Sequence, residues 1–260
     1  MTTPLIGRSK SIERIRELIN HIADLALNVI IIGESGVGKE VVAKNLFNKS
    51  QRKDKPFIKV NCSALSDELL ESELYGFKRN IFVGADRNSP GKFELAHQGV
   101  IFIDKVDSMS LPLQHKLLHV LRSGEFTPLG SKRKVRSDAW VIATTNQDLE
   151  KKVEEGLFRE DLYYRLNMIK IYIPPLRNRP EDIPLLIDYY IEKYASQFNG
   201  KKISKPNSFT IEKLMTYSWP GNIRELQNIL IGSMVLGNWG EIVDNLYLKS
   251  RSVAISISEK

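Results

Sequence analysis

The chain has 260 residues and a formal charge of +7, with 42% hydrophobic and 27% charged residues. These are proportions of an ordinary globular protein, long enough for one large domain or one domain plus a small appendage. No apolar run approaches the ~20 residues that cross a bilayer. The start Met1-Thr2-Thr3-Pro4 lacks the basic and then apolar regions of a secretory leader, so a cytoplasmic protein without membrane contact is expected. The single cysteine, Cys62, excludes an intrachain disulfide and fits a reducing compartment. It reads as a small buried residue behind a strand rather than as a nucleophile.

In chain order, apolar residues at Ile12, Ile15, Leu18, Ile19 and Ile22 predict a helix over 9–26, with Ser9 or Ser11 as its cap. A continuous apolar run over 27–32 predicts a buried strand. Helical spacing returns over 39–48, with Val42, Ala43, Leu46 and Phe47 on one face. A short strand over 57–60 and a helix over 67–75 follow, then a glycine-punctuated loop over 76–91. The run Val100-Ile101-Phe102-Ile103 predicts a strand closing at Asp104. The spacing of Leu113, Leu117, Leu118 and Leu121 predicts a helix over 111–122 with those residues inward, and strands are predicted over 139–144 and 168–173. Strands apolar on both faces, alternating with helices, argue for a parallel sheet covered on both sides.

After Ile173 the pattern changes. Pro174-Pro175-Leu176-Arg177-Asn178-Arg179-Pro180 reads as a linker, and only helical spacing follows, over 183–198, 208–217 and 222–235. The expected organisation is an α/β nucleotide-binding subdomain over 1–173, a helical subdomain over 174–240 and an unassigned tail over 241–260. No internal repeat is visible.

Gly33-Glu34-Ser35-Gly36-Val37-Gly38-Lys39-Glu40 follows a strand and opens a helix, the context a phosphate-binding loop requires. Its glycines let backbone N–H groups turn onto phosphates, and the helix N-terminus adds a favourable field. Lys39 is placed to reach the β- and γ-phosphates. Nucleoside triphosphatases usually end the second site strand in two acids, one holding Mg²⁺ through water and one polarising the attacking water. Here Asp104 supplies the first, and the second position is Lys105, which cannot accept a proton.

Other candidates carry two readings each. Thr144-Thr145-Asn146 is either a plain strand-end turn or a polar contact between the phosphates and Asp104. Arg159 and Arg165, six apart, either pair with Glu160 and Asp161 or stabilise charge on a phosphoryl group, often from a neighbouring subunit. The basic cluster Lys132-Arg133-Lys134 with Arg136 lies beside the turn signal Gly130-Ser131 and reads as a solvated loop. His115 and His119, four apart with no third ligand nearby, read as a solvated helix face rather than a metal site.

Together, the phosphate loop, Glu73-Leu74-Tyr75-Gly76, the arginine segment 158–167 and Trp219-Pro220-Gly221-Asn222-Ile223-Arg224-Glu225-Leu226 resemble the AAA+ domain of bacterial enhancer-binding proteins, the activators of sigma-54 RNA polymerase. The resemblance covers about residues 4–236. It implies a P-loop AAA+ parallel sheet sandwiched by helices, then a small helical lid, with ATP and Mg²⁺ as cofactors. Glu40 after the lysine is usual in that family. The resemblance implies that Lys39 binds phosphate and that Asp104 is the Walker B metal acid. Asn61 matches the asparagine that holds the catalytic glutamate in waiting, Asn146 the sensor I position and Arg224 the sensor II arginine of the lid. Arg159 and Arg165 match trans-acting fingers, which implies a homo-oligomeric ring, usually a hexamer. The family's DNA-binding helices follow the lid, so DNA contact is expected only through a domain absent from this chain.

Two departures shape the expected function. Lys105 stands where the family has its catalytic glutamate. Asn80-Ile81-Phe82-Val83-Gly84-Ala85 aligns with the family's Gly-Ala-Phe-Thr-Gly-Ala loop, which touches sigma-54. It keeps Phe82, Gly84 and Ala85 but has Val83 for threonine, losing a hydroxyl, and Asn80 for glycine, narrowing the backbone's choices. The expectation is an ATP-binding regulator domain with impaired hydrolysis and weakened sigma-54 contact. The alternatives are a nucleotide-gated oligomeric binding module without turnover, or an active ATPase that recruits Asp107 or Glu40.

Overall fold

The structure, a computed structural model, describes residues 4–79, 87–197 and 205–236, together with 239 and 246. By its contacts the chain forms two compact units.

The first unit is built mainly from Ile15–Gly33 and Lys39–Ile173. Five strands, β1 (Val29–Ile32), β2 (Phe57–Asn61), β3 (Val100–Asp104), β4 (Trp140–Thr145) and β5 (Ile169–Tyr172), lie in the order β2-β3-β4-β1-β5. Every neighbouring pair is parallel. Successive residues of β1, β3 and β4 are buried whichever way they point, so the apolar runs reflect a sheet covered on both faces. On one face, Ile30, Ile101, Ile103 and Val141 pack with Leu70 and Leu74 of α3 (Asp67–Tyr75), Leu113 and Leu117 of α4 (Leu111–Ser123) and Leu162 of α6 (Glu160–Leu166). On the other, Phe47 of α2 (Lys39–Lys49) meets Phe57 at 5.2 Å between ring centroids, and Phe57 stacks on Phe102 at 5.9 Å. Each fully buried aliphatic or aromatic side chain contributes roughly 1.5–3 kcal/mol.

Local chemistry sets the boundaries. The first helix, α1 (Lys10–Ile22), stops earlier than its apolar spacing predicts. It tightens into a 3-10 turn at Ala23–Leu25 and ends at Ala26 in the left-handed conformation, φ 48°. Leu121 packs inward against the core as its spacing predicts, though only half-buried. Short elements escape periodicity: α5 (Leu149–Glu154), capped by the Asp148 carboxylate accepting from the Glu150 and Lys151 N–H groups, and two antiparallel pairs, Gly76–Phe77 with Ser89–Pro90 and Glu125–Phe126 with Val135–Arg136. Cys62 is buried, and burial, then Asp104 and Asp107, pushes its thiol up, away from nucleophilic chemistry.

The second unit runs from Pro174 onward and includes Leu5–Arg14 and Glu34–Gly38. Its helices are α7 (Ile183–Gln197), α8 (Ser208–Thr216) and α9 (Asn222–Leu236), packed around Leu176, Ile187, Leu214, Trp219, Leu226 and Leu230. Its polar centre is Asp182, 0% exposed. Oδ1 accepts the Arg8 and Ser9 N–H groups at 2.6 and 2.8 Å, and Oδ2 accepts the Ser9 hydroxyl at 2.7 Å. Arg179, 1% exposed, lies 3.7 Å from the same carboxylate and donates to the Val37 carbonyl at 2.9 Å. A charge this deep is tolerable only when paired and hydrogen-bonded.

Asp182→Ala therefore strips these donors of their acceptor and leaves Arg179 buried without its counter-charge. Removing one partner of a buried pair costs about 3–5 kcal/mol. Urea unfolding followed by tryptophan emission should show a clearly lower midpoint for the variant; an unchanged midpoint would show that the cluster does not hold the unit together.

Candidate functional site

In the first unit the parallel sheet delivers its chemistry to one edge. Ligands of open α/β sheets bind at the carboxyl ends of strands. Gly33 follows β1, Asn61 ends β2, Asp104 ends β3 and Thr144-Thr145-Asn146 close β4. The register pairs Asn61 with Asp104 and Ile32 with Thr145, and the Gly33 N–H donates to the Thr145 carbonyl at 3.3 Å. Lys39, the first residue of α2, donates from Nζ to the Gly33 carbonyl at 2.6 Å, so its ammonium lies back along the loop it follows.

Thr144 organises this edge. It is 0% exposed; its hydroxyl donates to Asp104 Oδ1 at 2.6 Å and accepts the Lys105 N–H at 3.1 Å. Lys105 itself is left-handed, φ 56° and ψ 55°, which turns the chain sharply into the 3-10 turn Val106–Ser108. Its side chain is half-buried, and its ammonium meets no acceptor among the described residues. Asn61 Oδ1 accepts both the N–H and the hydroxyl of Ser63, at 3.1 and 3.0 Å. Asn146 is exposed beyond the end of β4.

Neither carboxylate that could substitute for the missing acid is free. Glu40 takes Lys44 at 2.9 Å and Lys59 on its other oxygen. Burial raises its pKa, but the two lysines outweigh that and hold it below the usual carboxylate range. Asp107 is 8% exposed, with Lys152 3.9 Å from Oδ2 and Oδ1 without a partner.

The two arginines separate. Arg159 is clamped on Asp161, Nε to Oδ1 at 3.0 Å and Nη2 to Oδ2 at 2.9 Å. Arg165 donates from Nε and Nη2 to the Leu121 carbonyl and lines a cavity of about 300 Å³ with Leu27, Asn28, Ala139 and Met168. Those residues precede β1, β4 and β5, so Arg165 sits at the amino edge of the sheet, opposite Asp104. A strand of about five residues puts the two edges roughly 16 Å apart. Arg165 therefore does not serve the phosphate loop of its own chain.

In the second unit the loop apex, Glu34–Gly38, is clasped. Arg177 grips Glu34 through two bonds, at 2.9 and 2.6 Å. The Asn222 amide donates to Glu34 Oε2 and to the Ser35 carbonyl, both at 3.0 Å, and its oxygen accepts the Leu176 N–H at 2.7 Å. Arg224 donates to the Ser35 hydroxyl at 2.8 Å, and the Ile223 N–H donates to the Gly36 carbonyl at 3.0 Å. Gly36 has φ +81°, and a Cβ there would lie 2.3 Å from the Gly221 carbonyl oxygen. Only glycine fits this approach.

The donors of the first unit, Lys39 at the head of α2 and an Asp104 carboxylate held on one oxygen by Thr144, fit a nucleoside triphosphate. The sequence offers Thr144 only as one of two readings of the triplet 144–146, and gives Asn222 and Arg177 no site role. The usable signals were the polar strand end and Pro-Gly-Asn before a helix, because asparagine tolerates the left-handed conformation that Asn222 adopts, φ 52°. Phe82, Val83 and Gly84 lie outside the described residues. Among the described residues no cluster of metal-ligating side chains forms, and His115 and His119 are exposed on α4.

The profile of the Sigma-54 interaction domain family matches residues 5–172, and that of the AAA+ ATPase lid domain matches residues 177–254, which reaches into the stretch without assignment from pattern. The chain is 44% identical over 227 residues to a signal-transduction and transcriptional-control protein of Clostridium beijerinckii, covering 87% of this chain and 36% of that protein. It is 40% identical over 227 residues to the DNA-binding transcriptional regulator NtrC of Rhizobium meliloti, covering 87% and 46%. The fold superimposes on NtrX of Brucella abortus in complex with ADP with a TM-score of 0.83 and 35% identity, covering 90% of this chain and 52% of that one. The chain thus spans less than half the length of these two curated relatives. Among the described residues no helix is long and apolar enough to cross a membrane.

The Arg177 guanidinium holds the Glu34 carboxyl below its ordinary value; partial burial pushes the other way, and Asn222 assists Arg177. A depressed carboxylate pKa contributes stability above the unfolded value, which is lost as pH falls through the folded one. Wild type should therefore exceed E34Q in urea midpoint near neutrality, and the gap should close below about pH 4. A gap that persists unchanged in acid would show that the charge on Glu34 contributes nothing.

Proposed function

The chain belongs to the Sigma-54 interaction domain family and continues into an AAA+ lid; from that premise we propose that it is the ATP-binding AAA+ domain of a sigma-54-type transcriptional regulator, with impaired ATP hydrolysis and weakened sigma-54 contact. The observation that carries this reading is Lys105, turned by its left-handed backbone beside an Asp104 that Thr144 already engages. Bound ATP with Mg²⁺ would supply the transferable phosphoryl group and its neutralising charge. Lys39 is the cation for the β- and γ-phosphates, Gly33–Gly38 offer backbone donors, and Arg224 is the lid's cation. Asp104 retains Oδ2 for a metal-bound water. What is lacking is a lone pair at residue 105 to orient the attacking water, and loss of a general base typically costs ~10²–10⁴ in rate.

Rescue by another carboxylate has little support: Glu40 is neutralised by two lysines, and Asp107 is buried beside Lys152. Asn61 spends its acceptor on Ser63. The position of Arg165 at the opposite sheet edge supports action in trans, and with Arg159 it points to a homo-oligomeric ring of hexameric type. Arg159 would exchange Asp161 for a neighbour's phosphate there. The weakened sigma-54 contact rests on residue type at Asn80, Ile81 and Val83. These observations also favour a second reading, a nucleotide-gated oligomeric module that binds ATP without turnover.

Calorimetry and phosphate release on one sample separate the readings. Wild type should bind Mg-ATP saturably, Lys39→Ala should bind more weakly, and turnover should be near silent. Lys105→Glu should raise hydrolysis by ~10²-fold or more if the fingers and sensors are in place. If wild type already matches K105E at every protein concentration, Lys105 is no block; if both bind and neither turns over, the module reading stands instead.

A further inference from the structure

The basic residues that read as a solvated loop in the sequence are gathered by the fold onto a stiff platform. The pair Gly76–Phe77 with Ser89–Pro90 is sewn to the hairpin Glu125–Phe126 with Val135–Arg136 through Leu129. The Leu129 N–H donates to the Gly76 carbonyl at 2.9 Å, and its carbonyl accepts the Lys78 N–H at 3.0 Å. Beneath them Tyr75, Phe93 and Phe126 form a mutual ring cluster with centroids 5.8–6.1 Å apart. A cleft of about 610 Å³ opens between the two hairpins, lined by Lys78, Arg133, Lys134 and Arg136 among others. Arg79 and Arg87 flank it, since the Arg79 N–H donates to Asn88 Oδ1 in its wall at 3.0 Å.

With Lys132 these are seven exposed cations. Only Lys134 has a carboxylate, Glu125 at 3.3 Å; among the described residues the other six form no ion pair. Glu94 and Glu125 are the described acids of the platform, so a local excess of five sits here in a chain whose whole excess is seven. Such crowding of like charge raises the energy of the unbound surface, and a polyanion relieves it. We propose that this platform binds the phosphate backbone of duplex DNA without reading its bases.

Three features select that occupant. Four of the cations are arginines, whose planar forks match phosphate oxygens. Duplex DNA presents one negative charge per ~1.7 Å of axis, denser than an unfolded acidic peptide, which would also call for apolar anchor pockets. Single strands are held largely by stacking on aromatic rings, and the one ring that lines this cleft among the described residues, Phe77, is partly buried. The contact does not depend on nucleotide turnover.

The test uses the full chain, a fluorescent duplex of about 20 base pairs of arbitrary sequence, the matching single strand and polyglutamate, over a salt series. Anisotropy should show duplex binding that falls steeply with salt and is tighter than for either competitor. R133E/R136E should weaken it by at least ~10-fold and flatten the log–log salt slope by about 2. K53E/K55E makes the same charge change at exposed lysines before β2, and should leave affinity within about two-fold. Unchanged thermal unfolding shows that the variants are folded, and R133Q/R136Q should fall between. Equal weakening by both charge reversals, or single strand or polyglutamate bound as tightly as duplex, would overturn the proposal, as would absence of duplex binding at low salt.

Discussion

One hydroxyl fixes the geometry of the candidate catalytic edge. Thr144 donates a hydrogen bond to Asp104 and accepts one from the N–H of Lys105, so two neighbouring strand ends and the turn beyond them are held by a single buried group. A buried hydroxyl with both roles filled has little freedom to rotate. Asp104 is consequently held on one oxygen, and the backbone at residue 105 is held in a conformation an L-residue reaches only at a cost of roughly 1–2 kcal/mol. Such conformations persist where the surroundings over-determine them. The parallel register supplies that over-determination, because β2, β3 and β4 end at the same level.

The second unit works by a different economy. Its interior is apolar, but its organisation comes from polar groups: buried Asp182 gathers Arg179 and the residues before α1, while buried Asn222 and exposed Arg177 gather the apex of the phosphate loop. The buried members, Asp182 and Asn222, are multiply bonded, as burial demands. The loop apex is thereby shaped by residues almost two hundred positions later in the chain, through the close approach of Gly36 to Gly221. A loop held this way is preorganised for anions, since its N–H groups need not be reoriented when one arrives.

Much of this was legible in residue order. Continuous apolar runs bounded by glycine or an acid marked β1 and β3, and helical spacing marked α3, α4 and the three lid helices, because each is long enough for period to show. Two-residue strands carry no period, so both hairpins were invisible, and with them the platform that concentrates charge. Lys132-Arg133-Lys134 looked like any solvated run; only the pairing through Leu129 places it beside Lys78. The clasp on Glu34 was hidden for a related reason: Arg177 and Asn222 are distant in sequence, and no local pattern reports a contact of that range. Lys105 was the reverse case. Its chemistry was plain from its position after Asp104, while its left-handed backbone was not.

That last contrast separates scaffold from chemistry. The turn at residue 105 is set by backbone bonds to Thr144 and by the 3-10 turn that follows, none of which uses the side chain. Glutamate and lysine are both unbranched at Cβ, with similar backbone preferences, so exchanging them leaves the turn and Asp104 where they are. What changes is the sign of the charge and the loss of a proton acceptor. An ammonium at residue 105 would attract a bound polyphosphate, whereas a second carboxylate would repel it until water or metal intervened. On the proposed reading, a change confined to one side chain would tilt the same fold from turnover toward retention of nucleotide. The loop clasp and the Asp104–Thr144 bond are untouched by such a change, since neither uses the side chain at residue 105.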